Sequence, residues 1–201
     1  MILKKIMAAG LFLIPLSLYA KVLVVGDSLA YPIAESMKTV MPVDGLYLES
    51  TGLKNPGKLN WPDYIRSVDI SGYSNIIISL GANDGITERE IETYQQKATG
   101  LIRLLSDRNE NALITWILPP VMKDERKEKS LTLTRIAINR ACNATGAICF
   151  NPAVVIGSEY SDKLGGVMVR SQDGIHYTIK GADLIVSRLL DVCGAWGVEH
   201  E

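Results

Sequence analysis

Four short blocks carry residues whose types and order can do chemistry. Gly26-Asp27-Ser28-Leu29 presents a hydroxyl directly after an apolar run. Serine is a poor nucleophile until a base takes its proton, and the base needs a carboxylate to fix its tautomer. The chain has two histidines, His176 and His200, and His200 is the penultimate residue, where chains fray. A histidine-dependent reaction therefore falls to His176, in Asp173-Gly174-Ile175-His176. An aspartate three residues before a histidine can fold back onto the ring within one turn, and Gly174 eases that turn. In Gly81-Ala82-Asn83-Asp84-Gly85, the Asn83 amide can donate to a developing oxyanion. In Ser50-Thr51-Gly52-Leu53, Gly52 offers a backbone N–H with no side chain in the way. Each block also has an ordinary use when taken alone. Residues 27–28 can cap a helix, 173–176 can be a surface turn with a solvated histidine, and the other two can be turns leaving strands.

The surrounding elements decide whether these blocks can meet. Residues 21–25, Lys-Val-Leu-Val-Val, form an apolar run rich in β-branched side chains, as expected of a strand buried on both faces of a parallel sheet. A helix is expected over 29–40, with Pro32 in its first turn, where missing N–H groups cost little. Residues 46–49 read as a second strand and 75–80 as a third. Thr87 opens a long amphipathic helix to about residue 107, with Glu90 placed as its capping-box partner. A fourth strand over 112–118 ends at Pro119-Pro120. A second long helix over 125–145 stops at Gly146, a fifth strand follows at 147–150, and Thr178 opens a last helix to 192. Strands alternating with helices predict an α/β domain of three layers, α/β/α, around a five-stranded parallel sheet. Such sheets bind ligands at the carboxyl ends of their strands, and the blocks follow strands one, two and three and precede the last helix.

Four blocks in the order Ser, Gly, Asn, Asp-x-x-His, on this strand pattern, resemble the SGNH (GDSL-type) hydrolase superfamily. The stretches 51–53, Trp61-Pro62 and 173–178 are similar to an exported bacterial branch of it. The resemblance implies a flavodoxin-like sheet of order 2-1-3-4-5. It also implies Ser28 as nucleophile, His176 as general base and Asp173 as its orienter. The oxyanion hole would be the Ser28 and Gly52 N–H groups with the Asn83 side chain. No cofactor is implied.

Other readings of the blocks fail on particular residues. A nucleophile elbow Gly-x-Ser-x-Gly would need glycine where Ala30 stands, and would separate its acid from its histidine. Neither a dinucleotide fingerprint nor a P-loop lysine follows the first strand. One usable histidine and cysteine spacings outside the zinc patterns give no support for a metal. A net charge of -1 with no long run of one sign gives no grip on nucleic acid. Three functions remain open: an esterase on a small ester or acylated glycan, an acyltransferase with the same triad, and a non-catalytic binding protein. Trp61 and Tyr64 lie in the long connection 50–73 and can stack on a sugar or pack against the sheet edge. The connection 151–172 is the lid candidate; its Arg170 can meet an anionic or sugar substrate or simply be solvated.

With 201 residues, 47% of them apolar, the chain suffices for one domain with a real core, taken here as 21–201. Residues 1–20 differ: Lys4 and Lys5, a short apolar run and a close on Ala20 have the layout of a secretory signal peptide. The run is short against the ~20 residues of a membrane span. Export to the periplasm or medium exposes Cys142, Cys149 and Cys193 to oxidation, and Cys142 with Cys149 is the pair expected to come closest. Mass spectrometry of native exported protein should find Lys21 at the N-terminus. Intact Met1 in a membrane fraction would instead mark an uncleaved anchor.

Overall fold

Apolar runs with no polar face can be buried only in a sheet covered on both sides. In the computed structural model, which describes residues 21–192, such a sheet organises the chain. The expected leader, Cys193 and His200 lie outside the described residues. The strands are β1 (Val22–Gly26), β2 (Val43–Tyr47), β3 (Asn75–Ser79), β4 (Leu113–Ile117) and β5 (Ile148–Phe150). All pair in parallel, in the order β2-β1-β3-β4-β5, as expected. β1 lies between two partners: Val24 faces Gly45 on one side and Ile77 on the other.

Side chains alternate across a strand, so β1 and β3 each feed two cores. Val22, Val24 and Ile77 pack with helices α1 (Ala30–Met37) and α6 (Ile179–Val192), through Ile33, Met37, Ile185 and Leu189. Leu23, Val25, Ile76 and Ile78 pack on the opposite face against α2 (Trp61–Ser67), α3 (Ile91–Arg108) and α4 (Glu125–Thr145). Thr87 and Glu90 form the expected capping box ahead of α3, over a 3-10 turn at Glu88–Glu90. The Thr178 hydroxyl accepts the Gly181 N–H, as the opener of α6 should.

The structure moves some boundaries. The second strand runs Val43–Tyr47, not 46–49, and only Val43 of it is buried. As an edge strand carrying Asp44 and Gly45 it has little apolar signal to read. α2 lies in a connection expected to be irregular. Asn60 caps it by accepting the Asp63 N–H, Pro62 sits in its first turn, and Trp61 and Ile65 bury its inner face. Seven residues are too few to establish a period. The connection 151–172 holds a short helix α5 (Ala153–Ile156) and a hairpin of β6 (Lys163–Leu164) and β7 (Val167–Met168), then closes by an antiparallel bridge between Arg170 and Tyr177. Cys142, in the last turn of α4, and Cys149, in β5, are free thiols. Their mutual hydrogen bond, aided by burial, pushes the Cys149 thiol far up.

One core contact reaches toward the strand ends. Trp116, fully buried in β4, donates its indole N–H to the Leu80 carbonyl (3.0 Å), just before Gly81. Trp116→Phe keeps most of the apolar ring and removes that donor. A buried carbonyl left unpaired costs about 1–3 kcal/mol. Urea denaturation should show a loss of that size. Unchanged stability would mean that Leu80 finds another donor.

Candidate active site

The parallel order brings the carboxyl ends of β1, β2 and β3 to one edge, so the turns that follow them are neighbours. Buried carboxylates fix their spacing. Asp27 is fully buried: one oxygen accepts the Leu29 N–H (3.0 Å) and the other the Ala82 N–H (3.2 Å). It thereby ties the serine turn to the asparagine turn. Asp84 accepts the N–H groups of Leu53 (2.6 Å) and Lys54 (3.0 Å) and the Tyr94 hydroxyl (2.8 Å), tying the same turn to the Gly52 block and to α3. Burial and the Asp84 charge push the Tyr94 phenol well up, which keeps it a donor. A Cβ at position 52 would lie 2.1 Å from Asp84 Oδ1, so only glycine permits this approach.

Ser28 stands half-buried in the turn between β1 and α1. Its Oγ lies 2.9 Å from His176 Nε2, and His176 Nδ1 lies 2.7 Å from Asp173 Oδ2. A ring nitrogen facing a carboxylate must donate, which leaves Nε2 to accept from the serine hydroxyl. Asp173 Oδ1 accepts the N–H groups of Ile175 (2.8 Å) and His176 (3.0 Å). Gly174 takes φ +71° to close this turn. Burial raises the Asp173 carboxyl, but hydrogen bonds from the ring and the two backbone groups outweigh it and hold the group down at about 2.

The three oxyanion candidates, Ser28, Gly52 and Asn83, are placed differently. The Asn83 amide donates to the Thr51 carbonyl (2.9 Å), joining the second and third blocks; among the described residues it makes no hydrogen bond to Ser28 or His176. Gly52 is buried and lines a cavity of about 320 Å³ with Leu53, Trp61 and Lys97. Among the described residues no backbone or side-chain acceptor takes the Ser28 or Gly52 N–H. A separate cleft of about 440 Å³ opens at Ser28 and His176, with Tyr31, Tyr47, Leu48 and Glu49 as its other walls. The Tyr31 and Tyr47 rings meet edge to face at 5.5 Å. Sequence reasoning assigns none of these four a role. The one available signal is Tyr31, three positions after the serine and so on its side of the first helix turn.

Other candidates settle elsewhere. Trp61 packs in the core beside Tyr64. Arg170, expected to meet substrate or solvent, is buried. Among the described residues no group of three His, Cys, Asp or Glu is placed to hold a metal, and no helix is long and apolar enough to cross a membrane.

Burial dominates at Asp27 and pushes its carboxyl up to about 6, against the pull of the Leu29 and Ala82 N–H groups. A raised folded pKa means a stabilising contribution complete below the unfolded value of 3.8 and lost as pH rises through about 6. Asp27→Asn is neutral at every pH. Its melting temperature should therefore gain on the parent's between about pH 4 and 6 and hold a constant offset above about pH 7. Parallel melting curves across that range would refute the buried charge.

No curated protein matches the chain in sequence. Solved structures do match in fold. One described as a lipolytic protein of the G-D-S-L family, from Desulfitobacterium hafniense, has TM-score 0.67 at 16% identity, over 86% of this chain and 99% of that one. Est24, a carbohydrate acetylesterase from Sinorhizobium meliloti, has TM-score 0.63 at 15% identity, over 88% and 99%. An aryl esterase from M. smegmatis has TM-score 0.57 at 15% identity, over 88% and 99%. Residues 21–192 match the family model described as protein of unknown function (DUF459). The chain belongs to the DUF459 family, and its fold is that of the SGNH (GDSL-type) hydrolases.

Proposed function

We propose that the protein is an exported serine esterase that hydrolyses an ester-linked acyl group through an acyl-enzyme on Ser28. The observation that carries this reading is the unbroken relay from Ser28 Oγ through the His176 ring to Asp173, at 2.9 and 2.7 Å. His176 Nε2 takes the hydroxyl proton as Oγ attacks the carbonyl carbon. Asp173 keeps the ring in the required tautomer and stabilises the imidazolium. The oxyanion is met by the Ser28 and Gly52 N–H groups and the second N–H of the Asn83 amide. Collapse expels the alcohol, which takes the proton from Nε2. Water then attacks the acyl-enzyme by the same route, releasing the acid and restoring Ser28.

The cleft supports a short acyl group on an alcohol of some size. Tyr31 is half exposed beside the nucleophile and offers an amphipathic ring edge, and Glu49 offers acceptors for hydroxyl groups. An acetylated sugar has that combination, and an acetylesterase of carbohydrates is among the fold's similar structures.

A fluorophosphonate should label Ser28 and no other serine. Ser28→Ala and His176→Ala should each reduce turnover of short-chain nitrophenyl esters to background, with unchanged melting temperature. Asn83→Ala should lower kcat by roughly 10²–10³. Acyl release in the absence of any sugar acceptor separates hydrolysis from transfer. Labelling that survives Ser28→Ala would sink the assignment.

A further inference from the structure

Arg170 has no place in the mechanism above, and its surroundings are unusual. It is 2% exposed, and among the described residues no carboxylate lies within ion-pair distance of it. Its guanidinium carbon sits 5.4 Å from the ring centroids of both Tyr160 and Tyr177. Its N–H groups donate to backbone carbonyls: Val121 at 2.8 Å, Ile175 at 2.7 Å and Gly174 at 3.5 Å. Burying a cation without a counter-ion is costly, and an apolar side chain of similar volume often serves stability as well or better. Two aromatic faces and three carbonyl dipoles offset the cost here.

The carbonyls it selects belong to two particular peptide groups. The group that begins with the Gly174 carbonyl ends in the Ile175 N–H, which binds Asp173 Oδ1. The group that begins with the Ile175 carbonyl ends in the His176 N–H, which binds the same oxygen. Arg170 and Asp173 therefore hold opposite ends of the same two peptide planes. The cation fixes their rotation and polarises them, so their N–H groups grip the carboxylate more firmly. Asp173 Oδ2 is then left aimed at the ring. The Val121 carbonyl and the Lys123 N–H, which donates to the Gly174 carbonyl at 3.4 Å, anchor the whole turn to the segment between β4 and α4.

We propose that Arg170 is a positioning residue for the triad, acting on Asp173 and His176 through the Gly174–Ile175 and Ile175–His176 peptide groups. This rests on the serine-esterase reading for its effect on reactivity, but its effect on the histidine ring does not. The test compares the parent with Arg170→Met, which keeps the length and loses the donors, and with Arg170→Lys. The rate of fluorophosphonate labelling at Ser28 should fall about 10–100-fold in Arg170→Met, the scale of a displacement approaching 1 Å. Arg170→Lys should recover part of it, since an ammonium keeps the charge and some donors without spanning all three carbonyls. Proton NMR should show the His176 Nδ1–H resonance at low field in the parent, displaced in Arg170→Met and partly restored in Arg170→Lys. Parent protein that resists labelling, with a ring signal that still responds to Arg170, would end the esterase reading and leave the positioning intact. Rapid labelling and an unmoved ring signal in folded Arg170→Met would overturn the proposal. Should Arg170→Met fail to fold, a parent-like rate and ring signal in Arg170→Lys would overturn it equally.

Discussion

The site depends on carboxylates that never reach it. A parallel sheet sets the ends of its strands side by side, but the turns beyond them are irregular and have no ladder to hold them. Asp27 and Asp84 supply the missing connections by accepting backbone N–H groups from neighbouring turns. The serine turn is bound to the asparagine turn, which is bound in turn to the glycine block and to α3 through Tyr94. These bonds involve charged acceptors in a dry environment, where they are stronger than neutral ones. Burial of such a carboxylate raises its proton affinity, with a smaller push from the Asp84 charge, and Asp27 shows that cost.

Asp27 and Asp173 show how one residue type is divided between tasks. Both accept two backbone N–H groups. Asp27 has protein on every side and is pushed up to about 6. Asp173 lies near the surface, faces an imidazole and is held down at about 2. Solvent access and the partner ring account for the difference. The group that the proposed mechanism needs as an anion beside His176 is the one whose surroundings favour the charge. The buried one serves geometry, at some electrostatic expense.

Legibility in the sequence follows the range of the forces involved. β1, β3 and β4 are buried on both faces, and their composition alone reveals them. The cap at Thr87 and the stop at Gly146 are local, and are equally plain. β2 is displaced from its expected place because an edge strand with Asp44 and Gly45 spreads little apolar surface, and α2 escapes notice because seven residues carry no period. The candidate chemistry is readable as a set of four blocks, since proximity in space leaves a mark in order and spacing. Arg170 escapes for a different reason. An arginine is solvated unless its partners say otherwise, and the Val121 carbonyl is 49 positions away. The tethers of Asp27 and Asp84 likewise reach across 55 and 31 positions, to backbone atoms that no side chain announces.

The packing of α6 against α1 has a consequence in time. Ser28 and His176 are 148 positions apart, and the helix that follows the histidine closes the face on which the first helix lies. Synthesis proceeds from the N-terminus, so the strands, the serine turn and both tethering aspartates emerge well before the base. Closing so long a loop draws on contacts that only the finished chain can make. On the proposed mechanism, a chain that has not yet reached His176, just ahead of α6, would carry Ser28 without its base. Under the proposed mechanism, the order of residues along the polypeptide would then act as a safeguard, with the triad complete only once the segment ahead of the last helix is in place.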